Sequence, residues 1–78
     1  MSNKILKEIK KEIEKLEKGY TVVIEDAGIN IYNKDSDSNM ITAMFIKDVI
    51  DITDKYNACM YVSKYFPTGQ PKLRIYTT

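Results

Sequence analysis

The sequence predicts a two-layer α+β domain, in which an antiparallel four-stranded sheet carries two amphipathic helices on one face. The chain has 78 residues, enough for one small domain. Its apolar residues switch twice from helical spacing to strand alternation, so that a helix followed by two strands occurs twice. Short polar connections within each strand pair favour antiparallel hairpins. The expected order over residues 1–78 is therefore helix, strand, strand, helix, strand, strand.

The first helix is predicted over residues 3–18. Its apolar stripe recurs at steps of four and three residues and consists of Ile5, Ile9, Ile13 and Leu16, with Leu6 beside it. Lysine and glutamate fill most other positions, so the opposite side is solvated. Gly19 suits the left-handed backbone conformation that often ends a helix.

A first hairpin is predicted over residues 20–33. Residues 20–25 are a β-branched run typical of a strand, and Asp26-Ala27-Gly28 provides a turn. Residues 29–33 continue as the second strand, with Tyr32 on the face opposite the isoleucines. The polar residues 34–39 follow as a loop.

The second helix is predicted over residues 40–56, with Asp37 or Ser38 as its amino-terminal cap and Asn57 at its end. Its apolar positions repeat at helical spacing and are Ile41, Phe45, Val49, Ile52 and Tyr56. An alternative takes residues 40–46 as a strand before a shorter helix, because aromatic and β-branched residues there also suit a strand.

A second hairpin is predicted from strands at residues 58–66 and 72–77, joined by a turn rich in proline and glycine. Strand alternation separates the aliphatic residues from the aromatic and charged ones. If the aliphatic residues point towards the helices, the other side chains lie on a sheet face that nothing covers.

Charge is distributed unevenly along the chain. The formal net charge is +1, but residues 1–19 carry +2, residues 20–57 carry −4 and residues 58–78 carry +3. Opposite charges in the middle and at the end predict two surfaces of opposite sign, which influences the choice of partner.

The residue inventory argues against an enzyme. Histidine and tryptophan are absent, and neither a phosphate-binding loop nor a nucleophile motif occurs, so we predict no catalytic residue, cofactor or metal site. Asp35, Asp37 and Asn39 match the start of a calcium loop, but Met40 replaces its glycine and Ile46 its glutamate.

The chain is expected to be a soluble protein of the cytosol. It has no leader-like apolar region and no apolar run of membrane-spanning length. Its single cysteine, Cys59, lies between Ala58 and Met60 and is predicted to be a small buried hydrophobic residue in a reducing compartment.

An acidic surface is the first predicted partner-binding site. Its residues are Asp35, Asp37, Asp48, Asp51 and Asp54. The last three recur every third residue on the exposed side of the second helix. They form either an ordinary solvated face, partly neutralised by Lys47 and Lys55, or a row of carboxylates that fits a basic groove built to hold a nucleic acid backbone.

The open sheet face is the second predicted site. Its residues are Tyr32, Tyr61, Tyr65, Lys72, Arg74 and Tyr76. Aromatic rings beside cations suit a protein interface, and they equally suit single-stranded nucleic acid, whose bases stack and whose phosphates need neutralisation. A third interpretation is that these tyrosines reflect only the strand propensity of tyrosine.

The arginine-poor composition rich in Lys, Ile, Asn and Tyr, and the stretch from Lys18-Gly19-Tyr20-Thr21-Val22 to Asp37-Ser38-Asn39-Met40-Ile41-Thr42, resemble small phage-encoded anti-CRISPR proteins. The likeness is to acidic inhibitors of the type II effector nuclease. It implies a stoichiometric inhibitor that places carboxylates where the protospacer-adjacent duplex would lie. The predicted acidic surface would then take that role, whereas the basic carboxyl-terminal hairpin departs from the acidic character of those inhibitors.

The leading functional hypothesis is a non-enzymatic protein-binding module from a phage or other mobile element. Its partner would be a host nucleic-acid-handling protein, such as a CRISPR effector complex. The alternative is a small single-stranded nucleic-acid-binding protein that uses the open sheet face. Self-association to a homodimer is a third possibility, because so small a domain leaves a sheet face or a strand edge uncovered.

Overall fold

The computed structural model describes residues 2–16, 19–33, 41–65 and 70–77, and it has the predicted α+β class. The elements in chain order are α1 (Ser2–Glu14), β1 (Tyr20–Glu25), β2 (Gly28–Asn33), α2 (Ala43–Lys55), β3 (Cys59–Tyr65) and β4 (Gln70–Tyr76). Helix, strand, strand therefore occurs twice, as the sequence predicts.

The four strands form one antiparallel sheet in the order β1-β2-β4-β3. Helix α1 packs on β1 and β2, whereas α2 packs on β3. Each helix thus covers part of its own hairpin, and the two units meet along the central β2–β4 pair. Among the described strands, β1 and β3 form the two edges of the sheet.

The core lies between the helices and the sheet. It consists of Leu6, Ile9 and Ile13 from α1, Ile29 and Ile31 from β2, Phe45, Val49 and Ile52 from α2, and Leu73 and Ile75 from β4. The prediction that Ile5 and Leu16 belong to the apolar stripe of α1 that faces the core was wrong, because both side chains are more than a third exposed. A helix turns every 3.6 residues, so Leu6 shares the face of Ile9 and Ile13 better than Ile5 does.

Both helices are shorter than predicted. Helix α1 ends at Glu14 instead of residue 18. Helix α2 begins at Ala43, because the Thr42 hydroxyl accepts a hydrogen bond of 3.2 Å from the Phe45 N–H and so caps the helix. The predicted cap at residue 37 or 38 is therefore wrong. The alternative strand is also wrong for residues 43–46, which are helical.

Asn57 ends α2, as predicted. Its φ of +55° is left-handed, a conformation that asparagine tolerates better than most residues. The Asn57 N–H donates to the Asp54 carbonyl at 3.2 Å, and the Ala58 N–H donates to the Thr53 carbonyl at 2.8 Å. These two bonds form a Schellman motif, which satisfies carbonyls of the last turn and directs the chain into β3.

Tyr20 fixes the start of α2 over the sheet. Its ring stacks on that of Phe45 with centroids 4.0 Å apart. Its hydroxyl accepts a hydrogen bond of 3.2 Å from the Thr42 N–H. The first turn of α2 is thereby held by β1, which sets the direction in which the exposed side of the helix faces.

Candidate partner-binding surfaces

The acidic face of α2 comprises Asp48, Asp51 and Asp54, and all three residues are exposed. Successive members are three residues apart and therefore neighbours on the helix surface. The other two residues predicted for this surface, Asp35 and Asp37, lie outside the described residues. The structure thus places three of the five predicted carboxylates together on one rigid element.

Lys55 does not pair with the acidic face, as it would under the interpretation of an ordinary, partly neutralised face. Its ammonium lies 3.1 Å from each carboxylate oxygen of Glu12 on α1, which also accepts a hydrogen bond from the Tyr56 hydroxyl. Among the described contacts, Asp51 forms no ion pair with Lys47 or Lys55. Within the described ranges, therefore, no lysine or arginine forms an ion pair with the acidic face.

The contact between Glu12 and Tyr56 perturbs both groups. The Tyr56 hydrogen bond, followed by the Lys55 ammonium, holds the pKa of Glu12 below its ordinary value of 4.5. The same hydrogen bond is the main reason that the pKa of Tyr56 is raised to about 12. The charged carboxylate and the neutral phenol are thus the favoured forms, and together they tie α1 to the end of α2.

A groove of about 430 Å³ lies beside the acidic face, between the end of α1 and the start of α2. Its lining consists of Leu16, Thr42, Ala43, Met44, Phe45 and Asp48. Met44 is 79% exposed, although it is a large apolar residue. The groove therefore combines an apolar wall with one carboxylate at its rim. Helical spacing places Met44 one turn before Asp48, a signal that the sequence prediction overlooked.

Arg74 lies on the open sheet face, but its guanidinium is occupied. It donates to the main-chain carbonyls of Glu25 and Asp26, each at 2.8 Å, and to the side-chain oxygen of Asn30 at 2.9 Å. Asn30 is only 9% exposed, because it lies beneath this cation. Arg74 therefore fastens β4 to the β1–β2 turn. These hydrogen bonds within the fold compete with the predicted role of its guanidinium in binding a partner.

The turn that Arg74 holds is tight. Asp26 and Ala27 both have left-handed φ values, +51° and +60°, which is typical of a type I′ hairpin turn. A Cβ on Gly28 would lie 2.6 Å from the Ile75 carbonyl oxygen and 2.7 Å from the Arg74 guanidinium carbon. Glycine is therefore needed here for space, so that the guanidinium can cross the strand.

Tyr61 and Tyr76 form an aromatic pair on the same open face, with ring centroids 5.7 Å apart in an edge-to-face arrangement. Cys59 lies opposite Tyr76 in the sheet and is half-buried instead of buried, so the prediction for it was wrong. The charge of Cys59, followed by its hydrogen bond, raises the pKa of Tyr76. The strand pairing also places Tyr32 and Lys72 opposite each other, whereas the side chain of Tyr65 is not described.

The described residues hold no cluster of three histidine, cysteine or acidic residues that could bind a metal ion. None of the described helices is long and apolar enough to cross a membrane. Comparison of the chain with family models, curated proteins and solved structures gives no match.

Proposed function

We propose that the protein is a non-enzymatic binding module of a phage or other mobile element, which docks the acidic face of α2 on a basic surface of a nucleic-acid-handling protein in the host cytosol. The observation that carries the proposal is the ion pair of Lys55 with Glu12, since Asp48, Asp51 and Asp54 are then exposed without a described ion pair. A row of carboxylates in that state attracts a cationic partner.

The spacing of the acidic face supports competition with nucleic acid. Residues three apart on a helix are about 4.5 Å apart along its axis. Phosphates along one DNA strand are separated by about 3.4 Å of helix axis. Carboxylates on α2 therefore offer a groove lined with lysine and arginine an axial charge spacing of the same order as that of one nucleic acid strand. The anti-CRISPR resemblance makes a CRISPR effector complex the candidate host protein.

The groove beside the acidic face supplies an anchor point. A lysine or arginine of the partner would lay its aliphatic stem against Leu16 and Met44 and bring its charged head to Asp48. Burial of the stem adds an apolar contribution that a solvated charge row lacks, because exposed ion pairs alone contribute little. The proposal therefore predicts a specific docking position at the amino-terminal half of α2.

Affinity capture from host lysate tests the proposal. Tagged wild-type protein is compared, in nuclease-treated lysate, with a variant that carries Asp48→Asn, Asp51→Asn and Asp54→Asn. The matched control neutralises three exposed acids elsewhere through Glu8→Gln, Glu14→Gln and Glu25→Gln. We expect one host protein to be retained by the wild type and the control, lost with the aspartate variant and displaced by heparin. Retention by the aspartate variant would overturn the proposal.

The alternative, a single-stranded nucleic-acid-binding protein, has one observation in its favour. Tyr61 is 50% exposed and lies beside Tyr76, so an open face is available on which a base can stack. Occupation of the Arg74 guanidinium weakens this alternative, because Lys72 then remains as the described cation of that face. A Tyr61→Ala, Lys72→Gln variant would lose binding to oligonucleotides under this alternative and would leave capture of the host protein unchanged under the proposal.

A further inference from the structure

The outer edge of β3 is unusual for an exposed sheet edge. Natural proteins commonly place charged residues, proline or a bulge at such an edge to prevent pairing with another chain. β3 has no proline, and its one charged residue, Lys64, stands next to its carboxyl-terminal end, so that Cys59 to Ser63 are uncharged. Val62 is 61% exposed even though its neighbour in the sheet, Leu73, is buried.

Helix α2 continues this apolar surface above the strand. Asp48 and Lys55 lie on the side of α2 that approaches α1, as the groove and the Glu12 ion pair show. Ile46 and Ile50 lie on roughly the opposite side of the helix, which faces the outer edge of β3 because α2 packs on that strand. Ile50 is 39% exposed, so this flank of the molecule exposes aliphatic side chains from both layers.

The edge of β1 differs from that of β3. All residues of β1 before Glu25 are half-buried, and its aliphatic residues Val22 and Ile24 pack against the core under α1. None of the large apolar side chains of β1 is among the exposed ones. Of the two edges of the described sheet, that of β3, together with α2, is therefore the one with an uncovered apolar flank.

We propose that the flank formed by β3, Ile46 and Ile50 binds a second copy of this chain, by antiparallel pairing of β3 with β3 of the copy about a two-fold axis at Val62. Val62 is the central residue of the seven-residue strand Cys59–Tyr65, so this register pairs the whole strand. Facing residues then lie on the same side of the sheet, and the two copies form one eight-stranded sheet with all four helices on one face.

A second copy suits this flank better than an isolated foreign strand. Pairing with a lone strand would cover the backbone edge and leave Ile50 exposed. The copy brings its own α2 beside the first, with the same apolar flank turned towards it. The formal net charge of +1 per chain offers little repulsion between copies. The dimer leaves Asp48 uncovered on the side of α2 towards α1, so this inference is independent of the docking position proposed at the amino-terminal half of α2. Asp54, one turn after Ile50, is the acidic residue nearest to the flank.

Sedimentation at high micromolar concentration tests the dimer. We expect the wild type to be dimeric and Val62→Lys to be monomeric, with a dissociation constant raised by about 100-fold or more, because two lysines would meet at the axis. Met44→Lys, at an even more exposed apolar position outside the flank, is the matched control and should remain dimeric. A monomeric wild type, or a Val62→Lys variant that still dimerises, would overturn the inference.

Disulfide trapping tests the register. Facing residues of an antiparallel pair have Cα atoms about 4.5–5.5 Å apart, within the range that a disulfide bridges. With Cys59→Ser as background, we expect Val62→Cys to form a covalent dimer under mild oxidation and Val23→Cys on β1 to remain monomeric. Faster trapping of the Val23→Cys variant would contradict pairing through β3.

Discussion

Lys55 on α2 lies 3.1 Å from both carboxylate oxygens of Glu12 on α1, although Asp51 stands one helical turn away on its own helix. Lys55 pairs with Glu12 instead of Asp51 because the Tyr56 hydroxyl also donates to Glu12, so that two donors from the end of α2 meet at one carboxylate. A lysine that the sequence assigns to the acidic face is thereby used between the helices. Both the fold of the helical layer and the charge offered to a partner depend on this contact.

The Glu12 contact predicts a pH dependence of stability in acid. Folding lowers the pKa of Glu12 below 4.5, so its contribution to stability is complete above pH 4.5 and is lost as the pH falls through the lowered pKa. We expect the free energy of unfolding, measured by urea denaturation, to fall less steeply with decreasing pH below 4.5 in the Glu12→Gln variant than in the wild type. Glu14→Gln on the same helix is the control, and an equal effect of both substitutions would contradict the prediction.

Tyr56 predicts a second pH dependence, at the alkaline end. Its pKa rises from 10.0 to about 12 on folding, so its contribution to stability is present below pH 10 and is lost as the pH rises towards 12. Spectrophotometric titration on a Tyr76→Phe background, which removes the other tyrosine whose pKa is raised, should show a tyrosine that ionises near pH 12. Its absence from the Tyr56→Phe variant would confirm the assignment, whereas persistence of the late transition would show that another tyrosine is responsible.

Arg74 is predicted to stabilise the sheet. Arg74→Met keeps the aliphatic stem but removes the hydrogen bonds to the turn and leaves the Asn30 oxygen without that donor, which should lower the free energy of unfolding by about 2 kcal/mol. Arg74→Lys should recover only part, because one ammonium cannot match the forked guanidinium. Lys72→Met, on the same strand and face, is the control and should cost less than about 0.5 kcal/mol. Equal losses for Arg74→Met and Lys72→Met would contradict the assignment.

The β1–β2 turn contains backbone strain that a substitution can relieve. Ala27 has a φ of +60°, a conformation that costs a residue with a Cβ about 1–2 kcal/mol. Glycine removes this cost but loses about 0.4–1 kcal/mol through the greater freedom of the unfolded chain. We therefore expect Ala27→Gly to raise the free energy of unfolding by about 0.5 kcal/mol, and Ala27→Val to lower it. Thermal denaturation of the two variants would settle the order, and a less stable glycine variant would contradict it.

The sequence predicted the two helices, the two hairpins and the exposed position of Asp48, Asp51 and Asp54, because these depend on periodicity and turn residues. It misplaced the start of α2, since several residues before the helix can act as caps and only the backbone shows that Thr42 does so. The partners of Lys55 and Arg74 were also missed. Both bind residues more than 40 positions away in the chain, and Arg74 binds main-chain carbonyls, which leave no mark in a sequence.

Charge reversal on α2 tests whether the acidic face binds the partner. A variant with Asp48→Lys and Asp51→Lys is compared with a control that carries Glu8→Lys and Glu25→Lys and therefore has the same net charge. Circular dichroism first verifies that both variants are folded. Binding to the captured host protein is then measured over a series of salt concentrations. Wild-type and control affinities should fall as salt rises, and the aspartate variant should not bind. Binding of the aspartate variant with wild-type affinity would show that the acidic face is not the docking surface.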